Sequence, residues 1–435
     1  MKILKVIHGY PDRYNAGSEV YSQTLCHSLI KRGHDVTVFA RHEDPYQQEY
    51  RVHWEQDRLC PEIKLCLINM AQSRDGYQHQ QVDQAFNHLL QEYRPDLVHF
   101  GHLSHLSTSI VEVAHQAKLP LVFTLHDFWL MCPRGQFLQT INTKGEELYP
   151  VCHSQEDEKC SRTCYWRHFS SQEDEEDAAY WTHWVSKRMA HIRQMSSYID
   201  MFIAPSMYLL ERFVKDFPID RTKVTYLDYG FDLDRLKNRK RLPEKEFVFG
   251  YIGTHKQAKG ILHLLNAFAE QPEGAALRIW GSSLSSFTNS LKDIVKTFKK
   301  DIQNRISWMG GYRNEKIVEE VFNHCDAIVV PSIWGENSPL VIHEALEAGV
   351  PVITADYGGM KEYIHHEVNG LLFRHRDEKS LVEQMKRFVQ DPGFALQLAK
   401  RKYLQSEDCH IPNIIDHAEQ MESLYLQLMK LKKRL

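Results

Sequence analysis

Two doubly wound α/β domains are what this sequence predicts, on three observations. Short runs rich in Val, Ile, Leu and Phe alternate with helix-length amphipathic stretches, a rhythm that implies right-handed crossovers and a mostly parallel sheet. The alternation occurs twice, on either side of a polar stretch at 234–245 that carries Lys237, Arg239, Lys240, Arg241 and Pro243. A chain of 435 residues, 43% hydrophobic and 25% charged, has enough core for two or three domains of ordinary globular composition.

In the first series, residues 2–8 read as a buried strand meeting a turn at 9–12, and residues 17–32 as a helix stopped by Gly33. Strands follow at 35–40, 96–101 and 119–125, with helices at 78–93 and 104–117. Between about 128 and 184 the rhythm stops. Four cysteines, many turn formers and acidic clusters at 156–158 and 173–177 mark an insertion there. A basic helix near 184–195 and strands at 201–205 and 223–227 complete a first domain of residues 1–233. The stretch 234–245 reads as a linker. The second domain, 246–395, has strands at 247–252, 277–280, 306–309, 327–331 and 351–354. Its helices start at Gly260 and cover 284–299, 315–323 and 339–348. Two such sheets are expected to leave a cleft at the carboxyl ends of their strands, where ligands of open α/β sheets bind. Helices in 396–435 are expected to pack back toward the first domain.

Charge and composition exclude several classes. Lys and Arg total 53 against 57 Asp and Glu, a net charge of −4, so charge gives no argument for a nucleic-acid partner. No run approaches the roughly 18 apolar residues of a membrane span. The first residues lack the apolar region and cleavage site of a signal peptide, so a cytoplasmic protein is expected. Nine cysteines, with Cys26, Cys66 and Cys325 inside apolar segments, argue against a disulfide framework.

The loop after the first strand, Gly9 to Glu19, has no Gly-x-Gly-x-x-Gly, yet Gly17 opens a helix whose N-terminal N–H groups can meet a phosphate. The stronger signal is Pro331-Ser332-Ile333-Trp334-Gly335-Glu336-Asn337-Ser338-Pro339-Leu340-Val341-Ile342-His343-Glu344. Ser338 is the expected N-cap and Pro339 the first helical residue, so a helix N-terminus opens beside a strand end. Glu336 and Glu344 flank it, and carboxylates bind vicinal hydroxyls through charge-assisted hydrogen bonds. Tyr312, after a strand end at Gly310-Gly311, either stacks on a nucleobase or caps the strand. Cys132, Cys152, Cys160 and Cys164, spaced Cys-x19-Cys-x7-Cys-x3-Cys, either bind a structural zinc or stay as free thiols, with disulfides or an iron–sulfur cluster behind those two. Trp181, Trp184, Val185, Met189, Ile192 and Met195 beside Lys187, Arg188 and Arg193 suit either an anionic membrane surface or packing on the sheet; the basic end, Lys430, Lys432, Lys433 and Arg434, adds to the membrane option.

These motifs resemble retaining glycosyltransferases of family 4, which have the GT-B fold of two facing Rossmann-like domains. The matching residues are Glu336 and Glu344 with seven residues between them, Ala345 to Ile353, Gly358-Gly359-Met360-Lys361-Glu362 and Asn369 to Phe373. Gly250-Tyr251-Ile252-Gly253 with Lys259-Gly260 matches upstream, as do Gly17-x-Glu19, Arg32 to Val36 and Thr124-Leu125-His126-Asp127 in the first domain. His126 to Arg134 with the downstream cysteines is similar to a subgroup associated with exopolysaccharide assembly. The resemblance implies a nucleotide-sugar donor, UDP- or GDP-linked, a glycan or lipid-linked acceptor, and catalysis without a divalent metal. It implies that Lys259 holds the donor diphosphate, Glu344 the ribose hydroxyls, Glu336 the sugar hydroxyls, and that His126 contacts the transferred sugar near its anomeric centre. The backbone around Asn337, Ser338, Pro339 and Leu340 would complete the anion site, with the Gly17 loop approaching the diphosphate. One departure stands out: Thr254 follows Gly253 where the family commonly has an Arg, and His255 and Lys256 are the nearby cations that could replace it. Without a replacement the chain would be a weakly catalytic donor-binding partner subunit.

Overall fold

The computed structural model describes residues 1–72, 76–141, 148–165, 175–242, 244–281 and 286–432. In it the chain divides into two units, Met1–Phe231 with Ile414–Leu435, and Asp232–Asn413.

The first unit holds strands β1 (Lys2–Ile7), β2 (Asp35–His42), β3 (Val52–Gln56), β4 (Lys64–Asn69), β5 (Leu97–Phe100), β6 (Leu121–Thr124), β7 (Met201–Ala204) and β8 (Val224–Tyr226). They form one sheet ordered β3-β4-β2-β1-β5-β6-β7-β8. Every neighbouring pair is parallel except β3 with β4. The strands around β1 are buried almost throughout, as a sheet covered on both faces requires. The hairpin of β3 and β4 falls in 41–77, where the alternation of strand and helix left no element assigned. β3 is an edge strand with alternately exposed and half-buried residues, and Glu55 and Gln56 mask its β character. The helix expected over 104–117 is only Ile110–Gln116.

The C-terminal helix Ile414–Lys432 belongs to this unit. It is tied to the helix Gly17–Lys31 by Arg32 Nε to Glu422 (2.8 Å) and to the sheet by a Tyr425 hydroxyl–His99 hydrogen bond of 2.7 Å. Lys433 and Arg434 of the basic end lie outside the described residues. Within the insertion, isolated bridges Leu138 to Val151 and Ile141 to Leu148 precede a short helix, Asp157–Cys160. Residues 173 and 174 of the second acidic cluster are outside the described residues. The helix Glu175–Ser197 buries Val185, Met189, Ile192 and Met195 inside the unit. Even Arg188 is buried, its guanidinium 4.4 Å over the Trp129 ring and donating to Trp129 O at 3.0 Å. Those four apolar residues are core, while Trp181 and Trp184 of the same stripe stay half-buried.

The second unit has six parallel strands: β9 (Phe247–Ile252), β10 (Ala275–Trp280), β11 (Ile306–Gly310), β12 (Ala327–Val330), β13 (Val352–Ala355) and β14 (Gly370–Phe373). Their order, β11-β10-β9-β12-β13-β14, reverses direction between β9 and β12. Such a switch point is where open α/β sheets bind ligands. The helix expected over 315–323 is broken into Asn314–Lys316, Ile317–Glu320 and Phe322–His324. The stretch read as a linker is pinned to this unit. Arg239 donates to Phe322 O (2.9 Å), Cys325 O (2.8 Å) and Gly349 O (3.2 Å), and Arg241 pairs with Asp326 at 2.7 Å. Pro243 lies outside the described residues. Among the described residues, no helix is long and apolar enough to cross a membrane.

Candidate functional site

The loops leaving β9 and β12 carry the site of the second unit. After β12, residues 331–339 run without regular structure before the helix Leu340–Glu347 begins. Glu336 is buried in this loop, and its Oε1 accepts three hydrogen bonds: from Lys259 Nζ at 2.7 Å, from Ser332 Oγ at 2.6 Å and from Trp334 Nε1 at 2.9 Å. Lys259 also lies 5.6 Å from the centroid of the Trp334 ring. Lys259 and Glu336, 77 residues apart, therefore form one charged pair at the switch point.

Glycines allow this convergence. Gly260 has φ of +68°, and a Cβ there would lie 1.8 Å from Pro331 O, so only glycine lets the Lys259 turn close on the end of β12. Gly359 donates to Glu336 O at 2.7 Å, and a Cβ on it would lie 1.5 Å from Asn337 O. The Gly358-Gly359 pair is thus a seat for the Glu336 loop.

The helix starts one residue later than expected. Pro339, not Ser338, is the N-cap, and it makes no side-chain cap. Ser338 and Asn337 are buried beside it. Glu344 lies in the second turn, buried, and its Oε1 is gripped by Arg235, whose other Nη donates to Asn314 O at 3.0 Å. Tyr312 stands by the same carboxylate: burial first, then the Glu344 charge, pushes its hydroxyl well above the ordinary range.

Thr254 has no cation beside it from His255. That imidazole is buried, pairs through Nδ1 with Thr288 Oγ1 at 2.9 Å and meets the Trp308 ring at 5.4 Å. Burial and then Lys292 lower its proton affinity, which keeps it neutral. Lys256 is exposed.

In the first unit, His126 follows β6. Its Nδ1 is 2.6 Å from the Tyr229 hydroxyl, and the ring lies against Tyr229 and Tyr21. Burial first, then Lys5, holds the imidazole well below its ordinary range. Gly17 is exposed at the start of its helix, whose N-cap Ala16 offers no side-chain acceptor. Two residues on, Glu19 is buried and pairs with His8 at 3.1 Å. Burial alone would raise its carboxyl, but the hydrogen bonds from His8 and Ser18 and the His8 charge bring it down to about 2.

Cys132, Cys152, Cys160 and Cys164 are all buried and reduced. Among the described residues, no group of three or more His, Cys, Asp or Glu side chains that could hold a metal ion is found. The four thiols lie close enough to feel one another's charge; Cys152 Sγ also donates to Ser154 O at 3.1 Å, and Cys164 Sγ lies 3.6 Å from Thr163 Oγ1. Burial pushes the Cys160 thiol up to about 12.

Sequence reasoning missed four partners of these residues: Arg235 on Glu344, Tyr229 on His126, and Ser332 with Trp334 on Glu336. Only the last pair had a local signal, lying in the same loop as the carboxylate.

With this geometry in hand, family models decide the affiliation. That for Glycosyltransferase Family 4 matches residues 16–235, half of the chain, and that for Glycosyl transferases group 1 matches residues 232–405. The chain belongs to glycosyltransferase family 4. Among family relatives, it is 23% identical over 233 residues to the UDP-Gal:alpha-D-GlcNAc-diphosphoundecaprenol alpha-1,3-galactosyltransferase of Escherichia coli, covering 50% of this chain and 57% of that one. It is 21% identical over 422 residues, 93% of both chains, to the putative teichuronic acid biosynthesis glycosyltransferase TuaC of Bacillus subtilis. Apart from the latter, the chain spans about half the length of the curated relatives it matches. Anabaena HepE, solved with UDP and glucose, superposes with a TM-score of 0.68 at 17% identity, covering 98% of this chain and 99% of that one. That likeness establishes the GT-B fold.

Proposed function

We propose that this protein is a retaining glycosyltransferase that moves a sugar from a nucleotide-sugar donor to a glycan, lipid-linked or other glycoconjugate acceptor in surface polysaccharide synthesis. The observation that carries the reading is the Lys259–Glu336 pair, a half-exposed ammonium on a buried carboxylate beside a helix N-terminus at the switch point. A diphosphate is the ligand such an ammonium and helix end suit. In the mechanism that family resemblance implies, Lys259 and the N–H groups of Ser338 and Leu340 stabilise the charge that develops on the departing diphosphate. Glu336 takes sugar hydroxyls, Glu344 takes ribose hydroxyls in exchange for Arg235, and the leaving phosphate oxygen accepts the acceptor proton on the front face. His126 meets the transferred sugar, and the Gly17 helix end meets the diphosphate. The UDP-galactose donor and undecaprenol-linked acceptor named for the E. coli relative, and the teichuronic acid named for that of B. subtilis, support the substrate classes. With a lipid-linked acceptor, the protein would work at the inner face of the membrane as a peripheral protein. The resemblance of residues 126–134 and the following cysteines to an exopolysaccharide-assembly subgroup fits the same setting.

The test is incubation with UDP- and GDP-sugars and undecaprenyl-diphosphate-linked saccharides, with the product anomer read by NMR. Transfer with retained configuration is expected, and an inverted product would overturn the mechanism.

A second reading is favoured by Thr254 and the inward His255: a donor-binding partner subunit with little turnover of its own. It predicts nucleotide binding without transfer by the isolated chain, and a gain of transfer in Thr254→Arg.

A further inference from the structure

β1 carries a lysine where a central strand ordinarily places an apolar residue. Lys5 is 1% exposed, and its Nζ finds no hydrogen-bond partner among the described residues. In register it stands beside His99 of β5, so the two side chains share one face of the sheet. The titratable groups facing it are Cys26 of the helix Gly17–Lys31, His99, His126, and His417 of the C-terminal helix. None of these is a carboxylate.

The amino group ends beneath Gly101, which follows β5 and is anchored by its N–H to Val6 O at 2.7 Å. A Cβ at Gly101 would lie 2.8 Å from Ile7 Cδ1, 3.3 Å from Lys5 Nζ and 3.3 Å from His126 Nε2. The two nitrogens and the Ile7 methyl therefore line one tight niche beside Gly101, which a methyl group enters only by displacing them. On the opposite side of the imidazole, Nδ1 lies 2.6 Å from the Tyr229 hydroxyl.

We propose that Lys5 is a positioning residue for His126: its amino group, facing Nε2 across the Gly101 niche, disfavours a proton on that nitrogen, so the ring carries its proton on Nδ1, donates it to Tyr229 and keeps Nε2 as an acceptor. The other groups around the ring, His8, His102 and Tyr21, include no anion to oppose this. Burial brings the Lys5 amine down to about 7, and burial together with Lys5 keeps the imidazole from charging. A neutral ring of fixed tautomer has one defined donor and one defined acceptor, whereas a protonated one would have only donors; Nε2 is itself buried, so the fixed tautomer acts through Nδ1 and the Tyr229 hydroxyl. The value of this to catalysis rests on the role proposed for His126; the protonation state itself does not.

The experiment is nitrogen NMR of the imidazoles in the full-length protein, with His126 assigned by its loss in His126→Gln. In the wild type, His126 is expected to show a protonated Nδ1 and an unprotonated Nε2, with no imidazolium at neutral pH. In Lys5→Met, of similar length and apolar, its titration midpoint is expected to move upward and its tautomer to become mixed. A second variant, Gly101→Ala, fills the niche with a methyl group and is expected to shift the same resonances. An unchanged His126 tautomer and midpoint in folded Lys5→Met, or unmoved His126 resonances in Gly101→Ala, would overturn the proposal. Because no donor is added, this result is independent of nucleotide binding, whose failure would instead overturn the proposed function.

Discussion

Lys259 and Glu336 make opposite predictions for nucleotide binding, although they form one pair. The ammonium is held 2.7 Å from Glu336 Oε1, and that carboxylate keeps two other donors, Ser332 and Trp334. A diphosphate bound as proposed would compete with Glu336 for Lys259. Lys259→Ala removes a charge-assisted hydrogen bond to phosphate worth about 1.5–3 kcal/mol. At 1.4 kcal/mol per decade, the affinity for UDP or GDP should fall about 10- to 100-fold. Glu336→Gln leaves the ammonium in place, removes its competitor and keeps an amide that Ser332 and Trp334 can still meet. Nucleoside diphosphate affinity in this variant should be unchanged or higher, while sugar transfer falls. Isothermal titration calorimetry of both variants with UDP and GDP, beside the wild type, measures this. The reasoning is refuted if Lys259→Ala binds as well as wild type, or if Glu336→Gln loses as much affinity as Lys259→Ala.

Three further predictions concern stability. Arg235→Ala leaves Glu344, with only 8% of its side chain exposed, as an unpaired buried carboxylate, so unfolding in urea should show a loss of about 3 kcal/mol; a loss under about 0.5 kcal/mol would mean the pair is not closed in solution. Gly260→Ala places a Cβ 1.8 Å from Pro331 O at positive φ and should cost about 2 kcal/mol or more, read as a lowered Tm, whereas a neutral effect would contradict the Lys259 turn. Glu19, held from 4.5 down to about 2, stabilises the fold above pH 4.5 and loses that contribution as pH falls toward 2. Urea unfolding at pH 6 and pH 3 should therefore show wild type losing about 2 kcal/mol more than Glu19→Gln. Equal losses would show that the His8–Glu19 pair does not hold the carboxyl down.

The second unit was the more legible part of the chain because its chemistry is local. Glu336, Asn337, Ser338 and Glu344 lie within one loop and one helix, and the glycines that seat them stand in the same motif. Lys259 was reached only through the family resemblance, and the strand order, with β9 and β12 flanking the switch point, supplies its physical reason. What sequence reading missed is set by distant partners. Arg235 lies in a stretch whose basic composition reads as a solvated linker, and only folding shows Arg235, Arg239 and Arg241 bonded into the unit. Lys5 sits in a run that reads as any buried strand with one charge, and nothing local says that its amine reaches Gly101 and His126. β3 is hidden by the polar residues of an edge strand, and the spacing of Cys132, Cys152, Cys160 and Cys164 does not by itself fix where each thiol points.

The most direct test of the central claim, that Lys259 and Glu336 mark a nucleotide-sugar site, is a thermal-shift titration of wild type and Lys259→Ala with UDP-, GDP-, ADP- and dTDP-sugars. A ligand at 100 times its Kd adds about 2.7 kcal/mol of stability. The account predicts a saturable rise in Tm of the wild type with one nucleotide class and a much weaker response of Lys259→Ala at the same concentrations. No shift with any of the four classes, or equal shifts in the two proteins, would contradict it.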